Sequence, residues 1–243
     1  KLADLGVDDP RSFEVLNSRN SPLVGAAIDH IYAKHQRNGR LRREIERMVN
    51  NDRNIFTAAM LALGMGDAMI TGTTRPFTLS LNQVRMVIDD MDENAPFGLN
   101  LIVGRHETVM IADTAVTERP TGKQLASIAI RAAAFARRMG QDPRVAFVSY
   151  TTFGHPIGRH IDELRDAVKL LDTMATDFEY EGEMGPDVAL NIDAQRRYYP
   201  FSRLTAPANI LIMPGLQSAN ISAKLLKALG GESVMGPYLV GLD

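Results

Sequence analysis

The sequence predicts an α/β fold with a mainly parallel sheet. Short continuous apolar runs, typical of strands covered on both faces, alternate with segments whose apolar residues recur at helical spacing. Clusters of Gly, Pro, Asn and Thr separate these segments and mark turns. Strands that alternate with helices in this way favour βα units, because each helix carries the chain back across the sheet before the next parallel strand.

Composition limits the function classes that remain. The chain has 243 residues, 45% of them hydrophobic, which is enough for one large core or two modest ones. With 27 Lys and Arg against 29 Asp and Glu, no excess positive charge is available for nucleic acid or an anionic membrane, so we expect neither partner. There is no cysteine, which excludes disulfides, thiolate metal sites and thiol nucleophiles.

Compartment and metal content follow from the same inspection. No apolar run approaches the roughly 20 residues that a membrane-spanning helix needs, and the first residues lack the apolar core of a signal peptide. We therefore predict a cytoplasmic protein. The five histidines are scattered without acidic partners at ligand spacing, so the sequence predicts no metal site.

Helices dominate the first part of the chain. Ser21-Pro22 offers a cap and a first-turn proline for a helix that Asn38-Gly39 ends, and further helices are predicted over 42–49 and 54–63. Gly64-Met65-Gly66 is not a dinucleotide fingerprint, because it follows a helix and precedes a strand predicted over 67–71.

A hydroxyl-rich loop follows that predicted strand. Thr73, Thr74 and Arg75 lead into a helix, predicted over 81–88, that carries Arg85. Backbone amides, hydroxyls and arginines in this arrangement suit a phosphate. The same residues fit a plain connection equally well, so both interpretations stay open here.

A hairpin and two βα units come next. Strands are predicted over 100–103 and 108–112, and Asp113 ends the second; Thr121 and Gln124 then form the capping box of a helix. The buried strand 145–148 leads into a polar loop with Ser149, Thr151, Thr152, Gly154 and His155, before a helix that begins near 161. Such a loop is a common anion site in α/β proteins, although a capped turn without a ligand fits as well.

The last part repeats the alternation. Strands are predicted over 177–181 and 208–213, a helix over 220–229, and a final strand segment over 236–241. Since ligands bind beyond the carboxyl ends of parallel strands, we expect 71–75, 113–114, 149–155 and 214–220 to share one rim. Asp142-Pro143 is the predicted boundary between a first domain, 1–142 with 236–243, and a second, 143–235.

Six motifs in this order carry a resemblance. They are ALGMGDAMITG, IADTAVTERPT, RVAFVSYTTFGHP, FEYEGEMGPDVAL, ANILIMPGLQSANISAKLL and GPYLVGLD. Together they resemble the phosphate acetyl/butyryltransferase family, and more narrowly the C-terminal phosphotransacetylase-type domain of bacterial NADP-dependent malic enzymes. The segments NDRNIFTAAM, FGHPIG and YPFSRL are similar to that subgroup in particular.

The resemblance implies two α/β/α domains with mainly parallel sheets, separated by a cleft that binds acetyl-CoA and phosphate. By motif, Arg85 would hold phosphate or the CoA end, and Thr151, Thr152 and Gly154 match the hydroxyl loop of the family. Asn220 matches the family's asparagine after the late strand. It further implies a homo-oligomer, a dimer or higher. An upstream malic enzyme domain, using NADP and a divalent metal, is also implied.

Departures from the family pattern separate two hypotheses. Ala228 stands where active members carry an arginine, and Gly215 stands where they carry an acid. Their Ser-Arg pair would fall beyond Asp243, and their first strand would precede Lys1, so the first domain is expected to be incomplete at both ends. A catalytically silent acetyl-CoA-binding regulatory module fits these losses better than a working phosphate acetyltransferase, since a lost phosphate-binding arginine costs about 1.5–3 kcal/mol per hydrogen bond.

Overall fold

The computed structural model describes residues 6, 9, 13–72, 74–91, 95–104, 107–156, 161–230 and 233–242. The chain divides into two compact units, Lys1–Asp89 and Asp90–Asp243. In the described residues, no helix is both long enough and apolar enough to cross a bilayer.

The regular elements described in the first unit are helices. Its helices are α1 (Val24–His35), α2 (Arg42–Asn51), α3 (Arg53–Ala62) and α4 (Phe77–Arg85), with a 3-10 turn at Gln36–Asn38. The apolar side of each helix is buried, at residues Ala27, Ile28, Ile31, Ile45, Val49, Ile55, Phe56, Ala58, Ala59, Leu81 and Val84. Gly39 ends the first helical segment in the left-handed conformation, as the sequence predicts.

The prediction of a strand over 67–71 is wrong. Residues 67–72 form neither helix nor strand, and Ile70 is 99% exposed. A strand needs a neighbour to accept its ladder hydrogen bonds, and none of the described segments pairs with this one. The apolar run alone was therefore an insufficient signal.

The second unit alternates strands and helices. Its elements are β1 (Phe97–Val103), β2 (Thr108–Ala112), α5 (Gly122–Arg138), β3 (Arg144–Val148), α6 (Asp162–Asp172), β4 (Glu179–Met184), α7 (Pro186–Ala189), α8 (Ile192–Tyr198), β5 (Ile210–Ile212), α9 (Leu216–Leu229) and β6 (Ser233–Val240). The capping box of Thr121 and Gln124 opens α5 as predicted. The short helices α7 and α8 lie in a stretch for which the sequence predicted no regular element.

One sheet contains all six strands, in the order β4-β3-β5-β2-β1-β6. The strands β4, β3, β5 and β2 are parallel, while β1 runs antiparallel to both β2 and β6. The α/β fold with a mainly parallel sheet is thus confirmed. The four parallel strands end at the same side, which we call the carboxyl edge, and the residues that directly follow them are Asp113, Ser149, Gly185 and Met213.

Helices cover both faces of this sheet. On one face, α5 and α6 pack against the side chains of Phe97, Leu99, Met110, Phe147, Ile210 and Ile212. On the other, α7 and α9 pack near Ile102, Ile111, Ala146, Val148 and Leu211. Consecutive residues of β5 therefore enter opposite cores, which explains why this strand reads as a continuous apolar run.

The division of the chain differs from the boundary predicted at Asp142-Pro143. The strands β2 and β3 lie on either side of those residues, yet both pair with β5 in the same sheet. The compact units separate instead between Asp89 and Asp90. A turn signal between two βα units can mark a domain boundary or a connection within one sheet. Here it marks a connection within one sheet.

The strand β4 is longer than predicted. The strand is predicted over 177–181, whereas the structure places it at Glu179–Met184. Its pairing with β3 shifts register between Phe147 and Val148, and Gly182 adopts a φ of 153° at that point. Any side chain at 182 would lie 2.8 Å from the Phe147 carbonyl oxygen, so glycine is required here.

The central strand gives a test of the packing. Ile210 is 0% exposed between β2 and β3, whereas Ile221 on α9 is 49% exposed. We expect Ile210→Val to lower the free energy of unfolding by about 0.5–1.5 kcal/mol, because one buried methylene is lost. Urea unfolding measures the change, and Ile221→Val is the matched control. Equal effects from the two substitutions would contradict the assigned core.

Candidate functional site

The structure brings most of the predicted site residues to the carboxyl edge of the second unit. Those residues are Asp113, Ser149, Thr151, Thr152, Gly154, His155 and Asn220. Thr74, Arg75 and Arg85 belong to the first unit, and Thr73 lies outside the described residues. The grouping in the second unit follows from parallel strands, whose carboxyl ends meet at one side of a sheet.

Asp113 organises the loop after β2. It is buried, and its Oδ1 accepts hydrogen bonds from the amides of Gly98, Ala115 and Val116 at 2.8, 2.9 and 3.0 Å. Its Oδ2 accepts from the Thr117 amide at 2.6 Å. A carboxylate with four backbone donors has its acceptor capacity occupied. The side chain therefore shapes the site and leaves little capacity for a ligand.

Asn220 connects α9 to the same loop. Its Nδ2 donates to the Thr114 carbonyl oxygen at 3.1 Å. The Thr114 hydroxyl in turn donates to the Asn100 side chain on β1, and both of these residues are buried. Asn220 thus holds the first turns of α9 against the carboxyl edge.

The loop of residues 149–155, hereafter the 149–155 loop, is tied to the end of β4. The Ser149 amide donates to the Met184 carbonyl at 2.9 Å, and the buried hydroxyls of Ser149 and Thr151 lie 3.1 Å apart. Thr152 and His155 exchange two backbone hydrogen bonds at 2.9 and 3.1 Å, which close a tight turn. The predicted polar loop is therefore an ordered structure with its own hydrogen-bond network.

Two side chains of this loop are available to bind a ligand. The Thr152 Oγ1 accepts from the Gly185 amide at 3.0 Å, and in the described contacts it acts only as an acceptor, which leaves its hydroxyl proton to donate. The side chain of His155 is exposed. By contrast, Ser149 and Thr151 are buried and bonded within the protein.

Glu183 holds the 149–155 loop from β4. Its Oε1 accepts from the Thr151 hydroxyl at 3.2 Å and from the Gly154 amide at 2.7 Å. Arg165 on α6 completes the arrangement with two hydrogen bonds, Nε to Oε2 at 3.0 Å and Nη2 to Oε1 at 3.1 Å. Three segments of the chain therefore meet at one buried carboxylate.

The charge of Glu183 is stabilised in place. Burial raises the pKa of its carboxyl group, but the hydrogen bonds from Arg165 and Gly154 outweigh burial and hold the pKa below its ordinary value. The stability that this group contributes is therefore present above the unfolded-state pKa and is lost as the pH falls through the folded-state pKa.

Phe153 adopts a backbone conformation that bulky residues avoid. Its φ is 47°, in the left-handed region, which costs of order 1 kcal/mol for a residue other than glycine. Its amide donates to the Glu183 carbonyl at 2.9 Å, and its ring packs on Tyr199 and Phe201 at centroid distances of 5.2 and 4.8 Å. Strain that neighbouring contacts enforce is typical of binding loops.

The helices α6 and α9 differ in the charge of their first turns. The helix α6 follows the 149–155 loop, and α9 carries Asn220. The first turn of α6 carries Asp162 and Glu163, whose negative charges complement the helix dipole and repel an anion. The first turn of α9 has no acidic residue. The sequence leaves an anion site and a plain capped turn equally open before α6, and the first-turn charges favour α9 over α6 as an anion site.

Arg75 in the first unit is paired. Its Nη1 lies 2.7 Å from Asp52 Oδ2 and 3.0 Å from Gln83 Oε1. Asp52 also caps α3 by accepting from the Asn54 amide at 2.9 Å. The loop that carries Thr74 and Arg75 is thus fastened to α3 and α4.

A groove of about 720 Å³ lies beside this network. Its lining is mixed, with a partly apolar surface and amide side chains, from Arg47, Met48, Asn51, Asp52, Ile55, Asn82, Gln83 and Met86. Arg85 follows in the last turn of α4 and is exposed. In the described part of the chain, no group of three or more His, Asp or Glu side chains is arranged to hold a metal ion.

A second buried glutamate on β4 has a separate partner. Glu181 accepts from Arg203 Nη2 at 3.1 Å and Nε at 3.2 Å. Arg203 also donates to Asp172 at 2.6 Å and lies over the Tyr180 ring at 4.5 Å. Burial raises the pKa of Asp172, but the hydrogen bonds from Arg203 and Tyr180 lower it below its ordinary value.

Sequence reasoning missed Glu183, Arg165 and Phe153. The signal for Glu183 lies in the segment GEMG, where a glutamate stands between two glycines just after the strand predicted over 177–181. Arg165 reads as a solvated residue on α6, because its partner lies 18 positions away. The pairing of Glu183 with Arg165 cannot be predicted without the register of the sheet.

Comparison with known proteins finds a matching family model and several relatives of the chain. Residues 2–243 match the family model described as phosphate acetyl/butaryl transferase. An NADP-dependent malic enzyme of Rhizobium meliloti is 48% identical over 98% of the chain, which spans 31% of that relative. A phosphate acetyltransferase of Bacillus subtilis is 26% identical over the whole chain, which spans 72% of it.

Solved structures agree on the fold. The EutD phosphotransacetylase from Staphylococcus aureus superposes with a TM-score of 0.86 at 23% identity, over 100% of this chain and 74% of that one. A phosphotransacetylase from Streptococcus pyogenes gives a TM-score of 0.82 over the same shares. The chain thus spans about a third of the malic enzyme relatives and about three quarters of the solved phosphotransacetylases.

The role assigned to Asp113 can be measured as stability. Asp113→Asn keeps the size of the side chain but removes the charge and turns one acceptor into a donor that faces backbone amides. We expect the free energy of unfolding to fall by at least about 1.5 kcal/mol, the scale of one charge-assisted hydrogen bond. Chemical denaturation tests this, with the exposed Asp162→Asn as control. An unchanged stability would show that the four amide contacts contribute nothing.

Proposed function

The chain belongs to the phosphate acetyl/butyryltransferase family, and from this premise we propose that it binds acetyl-CoA as a regulatory module and is catalytically silent. The observation that carries the proposal is the strained 149–155 loop, which Glu183 fastens at the carboxyl edge. Proteins maintain such strain where a loop must keep one geometry for a ligand.

The donors at this edge suit the chemistry of an acyl thioester and a phosphate. The Thr152 hydroxyl, the exposed His155 and the start of α9 offer hydrogen-bond donors and a positive dipole end. A thioester carbonyl accepts neutral donors, and phosphate groups prefer helix starts without nearby carboxylates. Arg85 is proposed as a contact for phosphate groups on the strength of the family motif.

The proposal of catalytic silence rests on Gly215. A side chain at this position would lie 2.8 Å from the Glu118 carbonyl oxygen, so the acid that active members carry there has no room. The position of Ala228 in the second unit does not support catalytic silence. It lies in the last turn of α9, about 18 Å along the helix axis from the end at the carboxyl edge.

The longer context is proposed from the relatives. Several of them are malic enzymes of which this chain matches about 31%. We propose that the chain is the phosphotransacetylase-type part of a cytoplasmic NADP-dependent malic enzyme. NADP and a divalent metal would then be used by an upstream domain, and the protein would assemble as a homo-oligomer, a dimer or higher.

Calorimetric titration with acetyl-CoA tests the binding function. We expect saturable heat and a higher melting temperature, since a ligand at 100 times its Kd stabilises the folded state by about 2.7 kcal/mol. The titration is run on the 243-residue chain and on any longer parent protein. Absence of both heat and a thermal shift in both samples would refute the proposal.

The contribution of Arg85 is tested in the same assay. Arg85→Ala removes a charge-assisted contact, so we expect Kd for acetyl-CoA to rise about tenfold or more. Arg43→Ala on the exposed side of α2 is the matched control and should leave Kd unchanged. Equal affinities for the two variants would remove Arg85 from the site.

Acetyl transfer separates the silent module from the alternative, an active phosphate acetyltransferase. We expect no acetyl phosphate from acetyl-CoA and phosphate, in this chain or in a longer parent, because the acid expected at Gly215 is absent. Free CoA and acetyl phosphate are both measured. Turnover at ordinary enzyme rates, about 1–10³ per second, would establish the enzyme instead.

A further inference from the structure

We propose that Glu183 is the positioning residue of the 149–155 loop, and that its buried carboxylate sets the affinity of this loop for its ligand. The inference rests on the proposed function for the identity of the ligand, acetyl-CoA. The positioning itself rests on geometry alone. Glu183 is not proposed to touch the ligand.

The contacts of Glu183 assign it this indirect role. Its side chain is buried, with the residue 2% exposed, and both of its oxygens accept hydrogen bonds within the protein. Two of the donors, the Thr151 hydroxyl and the Gly154 amide, flank the segment that carries Thr152. A change in the carboxylate therefore reaches the ligand only by moving that segment.

The same residue also restrains Phe153 through its main chain. The Phe153 amide donates to the Glu183 carbonyl, while the amide of the next residue, Gly154, donates to the Glu183 side chain. These two bonds hold the peptide groups on both sides of the left-handed Phe153. Without the side-chain bond, the strained conformation would keep only one of its two anchors on β4.

The charge of the carboxylate is required as well as its shape. Arg165 donates two hydrogen bonds to the two oxygens, in the planar paired geometry that arginine forms with carboxylates. In Glu183→Gln one of these acceptors becomes an NH₂ group that faces an arginine donor or the Gly154 amide. Whichever oxygen is replaced, one hydrogen bond from Arg165 is lost, and replacement of Oε1 also removes the acceptor of the Gly154 amide.

Glu181 is a matched control on the same strand. It lies two residues before Glu183, is 5% exposed, and also accepts a pair of hydrogen bonds from an arginine, Arg203. Its contacts among the described residues go to Arg203 and to the Gly182 amide, and none reaches the 149–155 loop. The two glutamates differ in the segment that each one holds.

The experiment compares Glu183→Gln, Glu181→Gln and the unchanged chain. Three quantities are measured, namely Kd for acetyl-CoA by calorimetry, the melting temperature, and amide hydrogen exchange at Phe153 and Gly154 by NMR. Both variants should lower the melting temperature. Only Glu183→Gln should raise Kd, by about tenfold, which corresponds to the loss of one ligand hydrogen bond of about 1.4 kcal/mol. Only that variant should accelerate exchange at Gly154.

Each alternative outcome decides the question. If both variants raise Kd equally, or Glu183→Gln leaves Kd unchanged, Glu183 is a structural residue and the inference is wrong. If neither the unchanged chain nor a longer parent protein binds acetyl-CoA, the proposed function fails, and exchange alone then tests the positioning. If the Gly154 amide in Glu183→Gln exchanges as slowly as in the unchanged chain, the positioning role of Glu183 is wrong.

A second variant covers the case in which Glu183→Gln does not fold. Arg165→Lys keeps the positive charge beside Glu183 but cannot donate the paired hydrogen bonds of a guanidinium. We expect faster exchange at Gly154 and a smaller rise in Kd than in Glu183→Gln. Unchanged values of both in a folded Arg165→Lys protein would contradict the proposal.

Discussion

The candidate site depends on one constraint: backbone amides need hydrogen-bond acceptors where the chain leaves the sheet. Parallel strands end together, and the loops that follow them leave amides without ladder partners. Asp113 accepts four such donors after β2, and Glu183 accepts the Gly154 amide together with the Thr151 hydroxyl after β3. Buried carboxylates therefore replace the missing strand neighbours, and they give the loops one geometry in which few polar groups are left for a ligand.

The sequence predicted the parts of the fold that local signals determine. The capping box of Thr121 and Gln124, the left-handed Gly39 and the hairpin of β1 and β2 all depend on residues close together in the chain. The strand over 67–71 failed because a strand also needs a partner. The boundary at Asp142-Pro143 failed because a turn signal cannot reveal that β5, more than 60 residues later, pairs with strands on both sides of it.

The candidate site shows the same limit at the level of side chains. Its polar residues were predicted, since the carboxyl edge of a parallel sheet follows from the order of elements. Their roles were not, because Asp113 and Thr151 have partners inside the protein. The pairing of Glu183 with Arg165 joins β4 to α6, and the pairing of Arg75 with Asp52 joins a loop to α3. Charges near a predicted site therefore cannot be assigned to a ligand until their internal partners are known.

The close approach of Gly215 to the Glu118 carbonyl has a consequence for the mutational paths open to this domain. An acidic side chain at 215 would need the Glu118 backbone to move, since its carbonyl oxygen would lie 2.8 Å from the new Cβ atom. The substitution therefore requires a rearrangement of this backbone as well as a new side chain. Under the proposed function, this requirement would make the silent state hard to leave by a single substitution, so the domain would diverge as a binding module without returning to catalysis.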